Sequence, residues 1–312
     1  MLDTIEDKID SYLNKHSHYR DKEHNLLLES DVICENNAFS LHKFAAKNNS
    51  LSRVLLVPSI INGPEILYLD QNYSLVEILR QNSDIFLVKW KNINNHTRNY
   101  NFNDYVLEIS NLLEFFEEKI EIYGHCLGGN IAFAASYLNQ EKLSRLTLLT
   151  TPWDFSHYAK VAKVEETFRN YDEIPAIFLE IMFFLQNPME LLTRLNKQNC
   201  TKISYKIEKW LHSGNNMAKN TYFQIMQDFI QNNILEKNAW YIGKDFIDPG
   251  AFQIYTRIIN CSFDKIVPPS STAPLLEKLP NAEIFILESG HIGYLTNPQF
   301  KNELELFIQN LR

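Results

Sequence analysis

Cysteine is scarce in this chain and never paired. Cys34, Cys126, Cys200 and Cys261 lie far apart and form no CxxC unit, which argues against a disulfide framework or a zinc site and fits a reducing cytoplasm. No metal or cofactor is implied elsewhere: His16, His18 and His24 stand in a polar stretch with no neighbouring cysteine and read as a solvated helix or loop. Positive charge is also in short supply. With 30 Lys and Arg against 38 Asp and Glu, the net charge of -8 excludes nonspecific nucleic-acid binding, which needs a basic surface. An anionic ligand would therefore need a local basic pocket. The N-terminus lacks the basic and apolar regions of a signal peptide, and no run of about 18 apolar residues exists to span a bilayer. The expectation is a cytoplasmic chain without a transmembrane segment.

What the chain does have is alternation. Strand-like apolar runs at 53–57, 85–90, 120–123, 145–150, 254–261 and 283–287 are separated by helix-period stretches, the pattern of an α/β fold with a mainly parallel sheet flanked by helices. The clearest helix spans about 104–118, where Val106, Ile109, Leu112, Leu113 and Phe116 recur on one face. Two more are predicted at 129–139 and 297–311. Between Pro152 and about Pro249 the alternation stops and the sequence turns helical and aromatic-rich. So long a structureless loop would be improbable, so residues 152–249 read as a mostly helical cap inserted into one domain spanning 1–312. Residues 1–50 are polar and weakly patterned, and there is no internal repeat.

One short segment carries the chemistry. Tyr123-Gly124-His125-Cys126-Leu127-Gly128-Gly129-Asn130 follows a strand pattern and opens a helix pattern. This is the layout of a nucleophile elbow, a sharp turn that holds its central residue in a strained backbone conformation and wants glycine two places before and after it. A thiolate at that helix start is favoured by the helix dipole. Later, Asp264 in Phe263-Asp264-Lys265-Ile266-Val267-Pro268 falls just past one strand, and His291 in Ser289-Gly290-His291-Ile292-Gly293 just past the next. The order nucleophile, acid, histidine is that of α/β-hydrolases, whose strand-end loops bring the three together. Cys126 is then the candidate nucleophile, His291 the base and Asp264 the group that orients it. Backbone N–H groups of Leu127 and near Ile60 are the expected oxyanion donors. Cys200 and Cys261 read as small core residues, and His125 as a structural neighbour of the elbow.

The likeness then becomes specific. Leu55-Leu56-Val57-Pro58-Ser59, Phe86-Leu87-Val88-Lys89-Trp90, the cysteine elbow, Leu146-Thr147-Leu148-Leu149-Thr150-Thr151-Pro152-Trp153-Asp154-Phe155, Asn233-Ile234-Leu235 and the Asp264 and His291 segments occur in order. Over about 53–298 the chain resembles the catalytic subunit of polyhydroxyalkanoate synthases, in their short form. It departs at Lys265, where that family usually has histidine, at Pro269, usually tryptophan, and at Gly63-Pro64-Glu65, usually more basic and aromatic.

The resemblance implies an α/β-hydrolase fold and the triad Cys126, Asp264 and His291. It also implies an acyltransferase that polymerises 3-hydroxyacyl-CoA through a covalent acyl-cysteine and releases CoA, working at a polyester granule surface. A noncatalytic synthase subunit and a homodimer are the partner arrangements it allows. Two alternatives stand beside it: a cysteine-dependent hydrolase of the thioesterase or dienelactone-hydrolase kind, and a nonenzymatic granule-binding homologue.

Overall fold

Short extended runs, most of them buried along nearly their whole length, build an eight-stranded sheet. The computed structural model describes residues 30–49, 52–158, 170–186, 202–212, 214–297 and 302–306. The strands are β1 (Asp31–Glu35), β2 (Phe39–Phe44), β3 (Arg53–Val57), β4 (Asp84–Trp90), β5 (Ile120–His125), β6 (Leu143–Leu149), β7 (Thr256–Cys261) and β8 (Ala282–Leu287). Their order across the sheet is β1-β2-β4-β3-β5-β6-β7-β8. Pairing is parallel from β4 through β8, whereas β2 runs antiparallel to both its neighbours.

Both faces of this sheet are covered, as parallel sheets require. Leu55, Val57, Phe86, Val88, Ile122, Leu148 and Ile258 pack on one side with the helices Phe102–Leu113 and Leu127–Leu138. Their chain neighbours Leu56, Leu87, Tyr123, Leu149 and Ile259 pack on the other side with Leu75, Leu79, Tyr294 and Leu304. The strand period of two sorts one continuous apolar run onto two cores.

The predicted elements shift slightly. The helix expected over 104–118 spans Phe102–Leu113. Its start is fixed by a capping box, Asn101 accepting from the Asp104 N–H while the Asp104 carboxylate accepts from the Asn101 N–H. Its apolar face continues past the last full turn because Phe116 still packs edge-on against Phe86, at 4.9 Å between ring centres. In the stretch expected as a helix over 297–311, Asn297 is extended, as a residue before proline prefers, and residues 302–306 are helical.

Two strands lie where no element was expected. β1 and β2 form an antiparallel hairpin on the sheet edge, inside the segment read as polar. Ser40, His42 and Lys43 masked the signal, yet Phe39 and Leu41 reach the core and Ser40 hydrogen-bonds His42, so the polar residues are accommodated rather than solvated. The segment between β6 and β7 holds helices Ala176–Gln186, Lys202–His212 and Lys219–Gln224, the last running into a π-helical turn at Ile225–Gln231. Two short ladders, Glu173–Ile174 with Met217–Ala218 and Tyr241–Ile242 with Asp245–Phe246, brace it. Among the described residues no helix is long and apolar enough to cross a membrane.

If the edge hairpin is integral to the core, Leu41→Ala, at a fully buried position, lowers unfolding free energy by about 2–5 kcal/mol. Urea titration followed by tryptophan fluorescence measures it, and a change of only a few tenths would mean that β2 contributes little.

Candidate active site

Cys126 occupies a backbone conformation that few side chains adopt. It follows β5 directly and caps the helix Leu127–Leu138, with φ 53° and ψ -127°. Its N–H donates to the Leu149 carbonyl at 2.9 Å, and its own carbonyl accepts from Gly129 N–H at 2.8 Å. The sequence around it permits this turn. A β-carbon on Gly124 would come within 2.5 Å of the Gly129 α-carbon, and one on Gly128 within 2.4 Å of the Val57 and Pro58 carbonyl oxygens. Those are the two glycines that the elbow pattern requires. Gly129 is a third: its β-carbon would lie 1.9 Å from Thr151 Oγ1. Next to it, Asn130 donates to the Pro152 carbonyl at 2.7 Å, tying the elbow helix to the start of the long segment after β6.

Asp264 and His291 arrive from the carboxyl ends of β7 and β8. One carboxylate oxygen of Asp264 accepts from the backbone N–H groups of Ile266 and Val267, each at 2.8 Å. The other meets His291 Nδ1 at 2.7 Å. The Asp264 side chain is completely buried, so its charge acts on the imidazole with little screening. Burial pulls the His291 pKa down, but the charge and hydrogen bond of Asp264 and a hydrogen bond with Cys126 outweigh it and push the value up to about 10. His125 goes the other way. Burial and the charge of His291 push it down to about 3, which keeps this second ring neutral at 5.5 Å between ring centres.

Two cavities meet at Cys126. One, of about 330 Å³, mixes apolar walls such as Ile61, Trp210 and Leu211 with Ser59, His125, Glu180, Lys265 and His291, and is the polar cavity of the two. The other, of about 90 Å³, is apolar and is walled by Leu127, Phe155, Leu179, Met217 and Met226. Leu127 begins the elbow helix, so its N–H has no helical carbonyl before it to bond. Ile60 follows β3 between Ser59 and Ile61; those two residues line the polar cavity, and the Ile61 N–H bonds Ser59 Oγ at 3.3 Å. The other cysteines stand apart. Burial is the main reason that the Cys261 thiol is pushed up to about 12, and it takes a hydrogen bond from Ser289. Cys34 sits on the edge strand β1. Cys200, His16, His18 and His24 lie outside the described residues.

Residues 82–298 match the family described as the alpha/beta hydrolase fold. The chain belongs to the α/β-hydrolase family. It is similar to the poly(3-hydroxyalkanoate) polymerase subunit PhaC of Haloferax mediterranei, 24% identical over 306 residues that cover 88% of this chain and 62% of that protein. The subunit of the same name from Haloarcula marismortui is 24% identical over 302 residues, covering 85% and 63%. This α/β-hydrolase thus spans a little under two thirds of the length of these relatives. Among solved structures, a hydrolase from Pseudomonas aeruginosa PA01 superposes with a TM-score of 0.61 at 14% identity, covering 90% of this chain and 98% of that one. At that identity the likeness is one of fold.

Sequence reasoning missed several residues at the site of this α/β-hydrolase. Tyr158 lines the apolar cavity and donates to the Ile266 carbonyl at 2.8 Å, bridging the segment after β6 to the Asp264 loop. Met217 and Met226 line the same cavity from two separate elements. No local pattern marks them, because they converge only in the folded chain.

The raised His291 pKa carries a pH signature. A group whose folded pKa of about 10 exceeds its ordinary value of 6.5 contributes stability that is fully present below 6.5 and is lost as pH rises through 10. Urea midpoints should therefore fall between about pH 6 and about pH 10, and Asp264→Asn should make that fall shallower, leaving the part due to His212, whose pKa burial lowers but Glu180 and Glu208 push up to about 9. An equally steep fall in Asp264→Asn would assign the dependence to other groups.

Proposed function

We propose that this chain transfers 3-hydroxyacyl groups from a CoA thioester onto a growing polyester through an acyl-Cys126 intermediate. The observation that carries the proposal is the position of Cys126, between a polar and an apolar cavity and beside the Asp264–His291 pair. The likeness to PhaC polymerase subunits supports the choice of substrate.

The chemistry follows from these parts. With His291 as imidazolium and Cys126 as thiolate, Sγ attacks the thioester carbonyl, the carbon–sulfur bond to CoA breaks, and His291 protonates the departing CoA thiolate. One thioester replaces another of similar energy, so the acyl group stays activated. Neutral His291 then takes the proton of a 3-hydroxyl, whose oxygen attacks the acyl-enzyme; the bond to Sγ breaks and one ester forms. Asp264 holds the ring and stabilises its protonated state. The Leu127 N–H and a donor near Ile60 would bind the oxyanion. The apolar cavity takes the acyl end, and its lack of polar lining keeps water from the acyl-enzyme.

We also propose that residues 152–249 form a movable cap over this site, since Leu179, Met182 and Met217 close the apolar cavity from that segment. Hydrogen exchange in the helices Ala176–Gln186 and Lys202–His212 should then change on acylation. Unchanged exchange throughout would mean a fixed cover.

Purified protein supplied with 3-hydroxybutyryl-CoA should release CoA together with polymer, and mass spectrometry should find the acyl group on the Cys126 peptide. His291→Ala should slow turnover by about 10²–10⁴-fold, and adding Asp264→Ala should cost far less than its effect alone. Release of CoA with free hydroxy acid and no polymer would make the chain a thioesterase. Acylation confined to Cys34, Cys200 or Cys261 would remove Cys126 from the mechanism.

A further inference from the structure

We infer that Phe263 and Lys265 form a recognition rim for the phosphate-bearing nucleotide end of the thioester substrate, outside the polar cavity. The inference rests on the proposed CoA-thioester chemistry and names the residues that would select that leaving group. Its first support is volume. About 330 Å³ is at the lower end of the roughly 300–1,000 Å³ typical of small-molecule pockets. That is room for a pantetheine arm reaching Cys126, but not for the nucleotide as well. The adenine and phosphates must then lie on the surface at the cavity mouth.

Two side chains of suitable chemistry stand there. Phe263 and Lys265 both line the polar cavity and both are exposed, Phe263 at 62%, the most exposed of the large apolar side chains among the described residues. Between them Asp264 turns inward and is fully buried, so the loop that supplies the orienting carboxylate also presents an aromatic face and an ammonium to solvent. Among the described residues lining this cavity, Lys265 is the sole lysine or arginine. The one carboxylate among them, Glu180, faces His212 at 3.0 Å rather than opposing an incoming phosphate. On a chain of net charge -8, a single local cation is the feature that an anionic ligand would need. An aromatic face offers sequence-tolerant stacking to a purine, and a lysine on a flexible stem serves a phosphate as a mobile point charge.

The test is titration calorimetry with free CoA and with pantetheine on the full chain. Lys265→Glu should weaken CoA binding by about five- to tenfold and Phe263→Ala by about tenfold, while pantetheine affinity changes less than twofold in either. Absence of CoA binding to the unsubstituted protein, equal CoA affinity in all three proteins, or parallel losses for CoA and pantetheine would each overturn the inference. The outcomes separate from those of the synthase proposal. If Cys126 fails to acylate while CoA binding still depends on Lys265, the polymerase reading falls and the rim stands.

Discussion

The backbone turn at Cys126 is the constraint on which the rest of the site depends. A non-glycine residue at φ 53° stores on the order of 1–3 kcal/mol of strain, and it persists only where the surroundings over-determine it. Here two backbone hydrogen bonds, to Leu149 and from Gly129, fix the turn from both sides. Three glycines then let the helix settle onto the carbonyls of Val57 and Pro58 and against Thr151. The strain spreads one strand further: Thr150, at the end of β6, also has positive φ, and its N–H reaches across to Ile259 on β7. Thr272 Oγ1 bonds the Thr151 carbonyl, and Ser271 accepts from the N–H groups of Trp153 and Asp154. The Thr150–Asp154 stretch is thus the socket into which the elbow helix fits.

Electrostatics divides two neighbouring imidazoles. His125 and His291 lie close enough that both could not carry charge cheaply, and the protein resolves this by giving only His291 a carboxylate. Asp264 in turn is held by two backbone N–H groups, so the loop that fixes its position also fixes the ring. Tyr158 bonds the Ile266 carbonyl of that same loop. A shift of the segment after β6 would therefore be felt at the proposed acid–base pair through one hydrogen bond.

The parallel strands and the elbow were legible because they are written locally. A buried parallel strand is a continuous apolar run, and a nucleophile elbow is a fixed spacing of glycines about one residue. Even the glycine requirement at 124 and 128 follows from the pattern, although the atoms that exclude a β-carbon there come from β3 and the elbow helix. The β1–β2 hairpin was not legible, since Ser40, His42 and Lys43 interrupt the apolar run and find their partners only in the folded state. The short ladders and the π-helical turn in the segment after β6 escaped for a similar reason. So did the part of the cavity wall that Met217 and Met226 form.

The pairing of a polar with an apolar cavity at one sulfur bears on why a thiol suits the proposed reaction. A nucleophile that must pass its acyl group to an alcohol rather than to water gains from a leaving group as good as the one it displaced, and a thioester supplies that. Such an intermediate survives only if the acyl side of the sulfur is dry. The apolar cavity contributes that dryness, and its methionine walls and π-helical border at Ile225–Gln231 give it side chains that can adjust their shape. In the proposed reaction the polar side has the opposite requirement, because CoA would enter and leave past His291. One strained residue facing both sides meets the two demands without a moving nucleophile. In that proposed reaction, selectivity for transfer over hydrolysis would depend on how the two cavities are filled in turn as well as on Cys126, Asp264 and His291.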